Sequence, residues 1–73
     1  MPYQSIEELP ASVRTHLPVH AQEIYCSAFN HAWETYATAS NREEIAHRVA
    51  WAAVKRRYRK SGPEWVSLED FEF

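Results

Sequence analysis

Between residues 21 and 37 apolar side chains recur at helical spacing without a break. Ala21, Ile24, Tyr25, Ala28, Phe29, Ala32, Trp33, Tyr36 and Ala37 are separated by three positions and one position in turn. In a helix of about 3.6 residues per turn this spacing draws one stripe along a single face, and that stripe has to be buried. Pro18 suits a first helical position, where no N–H is needed. The spacing therefore predicts a helix over about residues 18–38.

Ala39-Ser40-Asn41-Arg42 interrupts the pattern. Ser40 with Glu43, or Asn41 with Glu44, offers a capping box for a second helix over about residues 42–60. Ala46, Val49, Ala50, Ala53 and Val54 mark its inner face, widened by Trp51 and Tyr58. Its alanines permit close approach of the first helix. Ser61-Gly62-Pro63 reads as a helix stop. The short connection makes the two helices antiparallel neighbours.

Shorter elements flank this pair. Ser5 to Pro10 reads as one helical turn, with Ser5 as N-cap and Glu7 and Glu8 in the first turn. Ala11 to His16 reads as a second short turn, with Val13 and Leu17 facing the core. Leu9-Pro10 and Leu17-Pro18 repeat eight residues apart, and each proline pushes its leucine away from helical angles. Trp65-Val66-Ser67-Leu68 reads as a short strand, able to pair with Pro2-Tyr3-Gln4 or to lie across the helices. Alternatively, Ser67 caps a last turn from Leu68 to Phe71. Trp65 is expected to dock on the helices, since burying such a side chain is worth roughly 2–3 kcal/mol. The fold class is thus mainly α: two long antiparallel helices (about 18–38 and 42–60), short N-terminal helical turns, and a minor β-ribbon between the N-terminus and the C-terminal tail. Residues 1–73 are expected to form one domain, with 61–73 as a C-terminal extension.

The lone Cys26 permits no internal disulfide, which suits a reducing compartment. Met1-Pro2-Tyr3-Gln4-Ser5 has neither the basic start nor the apolar run of a signal peptide. No run approaches the roughly 18 apolar residues that span a bilayer. The expected location is cytoplasmic.

The residues of enzyme chemistry are present but badly placed for it. Cys26 lies mid-helix, with no helix N-terminus to activate the thiol. His16 and His20 are four apart but have Pro18 between them, and His31 and His47 are isolated. No other ligand is spaced to complete a tetrahedral metal set. Glu7-Glu8 and Glu43-Glu44 are adjacent pairs whose members point about 100° apart on a helix, so neither can flank one bond as acid and base. A phosphate-cradling loop needs several glycines, and Gly62 is the single one. No enzyme, cofactor or metal is expected. Tyr25, Phe29, Trp33 and Tyr36 read as core before they read as a ligand platform.

The formal net charge of −2 conceals a segregation. Residues 1–40 and 61–73 are acidic, while residues 41–60 carry seven cations against Glu43 and Glu44. Five of those cations fall within Lys55-Arg56-Arg57-Tyr58-Arg59-Lys60. Lys55, Arg56, Arg59 and Lys60 are candidate contacts for an anionic partner or nucleic acid. A solvated helix end complementing its dipole accounts for the same residues, and Arg57 can lay its stem along the apolar face. The slightly acidic balance argues against a dedicated nucleic-acid binder.

Several runs also resemble the ChaB family of small bacterial proteins: Met1-Pro2-Tyr3, the two Leu-Pro pairs, His20-Ala21-Gln22-Glu23-Ile24-Tyr25, Ala28-Phe29-Asn30, Ala32-Trp33, Arg42-Glu43-Glu44, and Ala46-His47-Arg48-Val49-Ala50-Trp51-Ala52-Ala53-Val54-Lys55 ending at Tyr58. The likeness spans residues 1 to about 60. Relatives tend toward a polar, often basic end, whereas this chain finishes Leu68-Glu69-Asp70-Phe71-Glu72-Phe73. The resemblance implies a small helical fold with no catalytic residues. It also implies a regulatory protein partner, a sodium or calcium/proton antiporter of the membrane. Fusions of related domains to nucleic-acid-binding modules make nucleic acid the alternative partner.

Overall fold

The computed structural model describes residues 2–68. In chain order it has a 3-10 turn at Ile6–Glu8, α1 at Ala11–His16, α2 at Val19–Thr35, α3 at Arg42–Arg57, β1 at Tyr58–Ser61 and β2 at Glu64–Ser67. The mainly helical class and the two long helices stand as the periodicity predicted. Three boundaries and one pairing differ, each for a local physical reason.

Helix α2 begins one residue after Pro18, which serves as its N-cap and whose carbonyl accepts from Gln22 N at 2.9 Å. The helix stops at Thr35, short of the predicted residue 38, and leaves Tyr36 exposed although it continues the stripe. The cause lies across the loop. Arg42 Nε donates to the Trp33 carbonyl at 2.7 Å, an oxygen that another helical turn would have used, and the Arg42 guanidinium lies 4.0 Å from the centre of the Trp33 ring. One side chain thus satisfies a helix-end carbonyl and adds a cation–π contact.

Helix α3 begins at Arg42 as expected, but neither capping box forms: Asn41 is the N-cap with no side-chain bond, and only its carbonyl is engaged, by Ile45 N at 3.0 Å. Glu43 and Glu44 lie in the first turn, where they complement the dipole.

The predicted helix end at residue 60 is corrected to Arg57, and the ribbon pairs with a different partner. Tyr58 turns to extended angles (φ −131, ψ 152), and β1 pairs antiparallel with β2 in the register Tyr58↔Ser67, Arg59↔Val66, Lys60↔Trp65, Ser61↔Glu64. The ribbon is therefore a hairpin directly after α3, and the N-terminal segment is no strand. Gly62-Pro63 is its two-residue turn. Gly62 has φ 61, the positive value that the first position of a type II′ turn requires and that glycine adopts without strain. The alternative turn from Leu68 to Phe71 lies mostly outside the described residues.

The core runs the length of the helix pair. Ala21, Tyr25, Phe29 and Ala32 of α2 join Ala46, Ala50 and Val54 of α3, with Leu9, Val13 and Leu17 covering one side and Tyr58 closing the end. Tyr25 and Phe29 are 1% and 0% exposed, which the small facing residues Ala46 and Ala50 make possible. Each Leu-Pro pair places its leucine in this core at the end of a short helical element. Gln22, itself buried, donates from Nε2 to the carbonyls of Leu17 at 2.9 Å and Arg14 at 3.2 Å, so it satisfies the end of α1.

Candidate functional site: the cationic end

The cations 55–60 do not form one helical face, because the chain changes from helix to strand among them. Lys55, Arg56 and Arg57 close α3, while Arg59 and Lys60 stand on β1, where successive side chains point to opposite faces. All five are exposed. Lys55, Arg59 and Lys60 line a groove with Tyr58, Trp65 and Leu68. Arg56 and Arg57 line an adjoining groove with His20, Tyr58, Ser67 and Leu68. Of the four predicted contacts, three thus share a groove and Arg56 belongs to its neighbour. Leu68 borders both.

The ion pairs among the described residues lie elsewhere: His20 with Glu23 at 3.5 Å, His47 with Glu43 at 3.8 Å, and Arg48 with Glu44 at 3.1 Å. Lys55, Arg56, Arg57 and Lys60 have no carboxylate partner among the described residues. The floor of the first groove is tied to the core through rings. Trp65, half-buried as expected, packs 5.7 Å from Trp51, which meets Tyr25 edge-on at 5.3 Å, and Tyr25 stacks at 6.4 Å on Phe29. Lys55, Arg59 and Lys60 therefore line a groove whose aromatic floor packs against the core.

The opposite half of the hairpin carries a polar network that periodicity did not reveal. The Tyr25 hydroxyl hydrogen-bonds His47 Nδ1, and Glu43 stands beyond the other ring nitrogen. Burial raises the Tyr25 phenol to about 12, and the nearby Tyr3 acts in the same direction. Asn30 holds the N-terminal segment by both amide groups: Tyr3 N donates to Oδ1 at 2.8 Å, and Nδ2 donates to the Tyr3 carbonyl at 2.7 Å. The Tyr3 ring then lies 4.8 Å from Phe29. Cys26 sits beneath this clasp, with its thiol 3.5 Å from the Tyr3 carbonyl, and burial pushes its pKa up, away from a reactive thiolate. The signals for these residues were Glu43 and His47 four apart on one helix and Asn30 beside a buried ring, but neither names a distant partner.

Among the described residues, no three of His, Cys, Asp and Glu gather where they could hold a metal. No described helix is long and apolar enough to cross a membrane. What the fold defines is a small helical domain, a two-helix hairpin extended by a β-ribbon, with the buried polar side chains of the described residues satisfied and five of its eight Lys and Arg residues gathered at one exposed end.

Comparison with known proteins makes that class specific. The ChaB family pattern matches residues 9–67. Proteins named "Putative cation transport regulator ChaB" from Escherichia coli strain K12 and from Shigella flexneri are 52% identical, over 82% of this chain and 87% of theirs. An NMR solution structure under the same name superposes with a TM-score of 0.81 at 46% identity, covering 90% of this chain and 97% of that one. A protein of the Lymantria dispar multicapsid nuclear polyhedrosis virus, called an uncharacterized 10.9 kDa protein in the LEF8-FP intergenic region, is 33% identical over 96% of this chain and 68% of its own length. The chain belongs to the ChaB family. The name its bacterial relatives carry is that of a regulator, not of an enzyme.

Proposed function

We propose that this chain is a non-catalytic, cytoplasmic binding protein that regulates cation transport by docking its cationic end on an acidic surface of a membrane sodium or calcium/proton antiporter. The observation that carries this reading is the placement of Lys55, Arg56, Arg57 and Lys60, exposed and without carboxylate partners among the described residues, around the end of α3 and the start of the ribbon, with Lys55 and Lys60 beside Trp65. Positive charge gathered on one surface steers association with an acidic partner and contributes to its specificity. The relatives' name supplies the process being regulated.

The test is antiporter activity in everted membrane vesicles, with the purified protein added. Addition is expected to change the rate of cation exchange, and Lys55→Glu/Arg56→Glu is expected to abolish that change. An effect undiminished by the charge reversal would refute the assigned surface, and no effect from either protein would refute the process.

Nucleic acid is the second reading, supported by one feature. Lys60 and Trp65 are cross-strand partners in the same groove, and an aromatic ring beside cations is how single strands are held without sequence preference. Anisotropy with a single-stranded oligonucleotide would then show affinity falling steeply with salt, at a log–log slope of about −0.7 per phosphate contact. No binding at low salt removes this reading.

A further inference from the structure

We propose that the recess between the start of α2, the end of α3 and the ribbon binds the dianionic phosphate group of a small molecule, as a site distinct from the groove at Trp65.

Three separate stretches of chain wall this recess. His20 comes from the first turn of α2, Arg56 and Arg57 from the last turn of α3, and Tyr58 and Ser67 from the ribbon. Its base belongs to the folded core. Tyr58 is buried, the His20 ring lies 6.2 Å from the Tyr58 ring, and Ser67 is the cross-strand partner of Tyr58. The recess measures about 100 Å³. At about 30 Å³ for each water it holds about three waters, or one phosphorus with its four oxygens.

The chemistry of the walls selects the ligand. Two guanidinium groups offer planar forks of N–H donors, which match phosphate oxygens in pairs. His20 adds a ring nitrogen and Ser67 a hydroxyl. Arg56 and Arg57 have no carboxylate partner among the described residues. Glu23 stands 3.5 Å from His20, but both side chains are largely exposed, so water screens that pair. The end of α3 opposes an anion with about half a unit of charge, and the start of α2 offsets it with the opposite sign. The two arginines therefore decide the sign of the site.

His20, Arg56 and Arg57 also border a wider cavity of about 420 Å³ with Ile24 and Ala53. A phosphate monoester seated on the arginines has room there for its organic part, against apolar side chains. Its dianion balances both guanidinium charges, whereas a monoanionic diester balances one.

The test is titration of the 15N-labelled full chain with inorganic phosphate and with phenyl phosphate, each against chloride at equal ionic strength. The Arg56 and Arg57 side-chain Nε–H signals and the His20 and Ser67 amides are expected to shift along one saturating curve in the millimolar range. Tighter binding of phenyl phosphate assigns an ester as the ligand, and equal binding assigns free phosphate. Dimethyl phosphate, a diester with one charge fewer, is expected to bind more weakly than either. Arg57→Gln is expected to weaken phosphate binding at least about tenfold, the worth of one hydrogen bond to a charged group. Arg48→Gln removes an equal charge from the exposed pair with Glu44 and is expected to leave binding unchanged.

The absence of a saturable shift would overturn the proposal. So would an equal loss in Arg48→Gln and Arg57→Gln, which marks diffuse attraction to net charge. Dimethyl phosphate binding as tightly as the monoester would overturn it in favour of a nucleic-acid backbone. These titrations use the isolated protein and small anions, so their failure leaves the result of the vesicle assay standing, and the reverse holds.

Discussion

The half of the hairpin that meets Tyr3 and the end that meets the ribbon use polar side chains in opposite ways. Around Tyr3 each polar group turns inward to a partner: Asn30 to the Tyr3 backbone, Tyr25 to His47, and Cys26 to the Tyr3 carbonyl. No buried side-chain nitrogen or oxygen among the described residues lacks a hydrogen bond. At the ribbon end Lys55, Arg56, Arg57 and Lys60 are exposed and find no carboxylate among the described residues. An unsatisfied buried group costs about 1–3 kcal/mol, whereas an exposed charge costs little. The clasped half is thus committed to stability, while Lys55, Arg56, Arg57 and Lys60 stand exposed to solvent.

If that contrast is right, substitutions should rank by which half they touch. The largest effect is expected from Phe29→Ala, which empties a fully buried position between Tyr3, Trp33 and His47. It should lower unfolding free energy by about 3–5 kcal/mol, read from the urea midpoint. A loss under about 1 kcal/mol, the range of mild core swaps, would show that the helices are not held by this ring.

Asn30→Ala should follow, at about 1–3 kcal/mol, because it strands the Tyr3 N–H and leaves the Tyr3 carbonyl only the weak Cys26 thiol donor. Hydrogen exchange should show the Tyr3 amide losing protection while α3 amides keep theirs. Unchanged protection at Tyr3 would break the idea of an N-terminal clasp.

The buried phenol gives a pH test of the same half. Unfolded Tyr25 ionises near 10.0 and folded Tyr25 near about 12, so the folded state keeps its proton longer. The contribution is complete below pH 10 and is lost as pH climbs toward 12, because the unfolded state sheds its proton first. Tyr25→Phe should therefore unfold less steeply between those pH values than the parent protein. An equal slope in both would show the phenol is not held neutral by burial.

The smallest effect on folding is expected from Lys55→Glu/Arg56→Glu. These residues are exposed, so unfolding free energy should stay within about 0.5 kcal/mol, even as binding to an acidic partner is lost. A large drop in melting temperature would erase the distinction between the two regions.

How far the sequence could be read tracks the distance over which each signal acts. The stripe from Ala21 to Trp33 and the inner residues Ala46, Ala50 and Val54 were legible because each lies a helical step from the next. The β-hairpin was not. Tyr58, Arg59 and Lys60 extend the α3 pattern acceptably, and Gly62-Pro63 serves equally as a helix stop or as a two-residue turn. The choice rests on Trp65 having Trp51 to lie against and on Tyr58 closing the core. The early end of α2 was hidden for the same reason, since Tyr36 keeps the spacing while Arg42, nine positions beyond Trp33, takes the carbonyl that another turn needs. The cationic cluster was visible at once as residue types, but its division into two grooves followed only from the change of helix into strand.

From the sequence alone came the helical class, the two long helices and their buried faces, the cluster of positive charge, and the likeness to a known family. Backbone periodicity and charge are local properties, fixed within a few residues of chain. Only the tertiary structure decided where α2 and α3 stop, which segment pairs as a ribbon, and that His47, Asn30 and Gln22 are structural partners. Those outcomes depend on groups 5 to 27 residues apart meeting in space, and a polar side chain carries no mark of its partner until the core has brought them together.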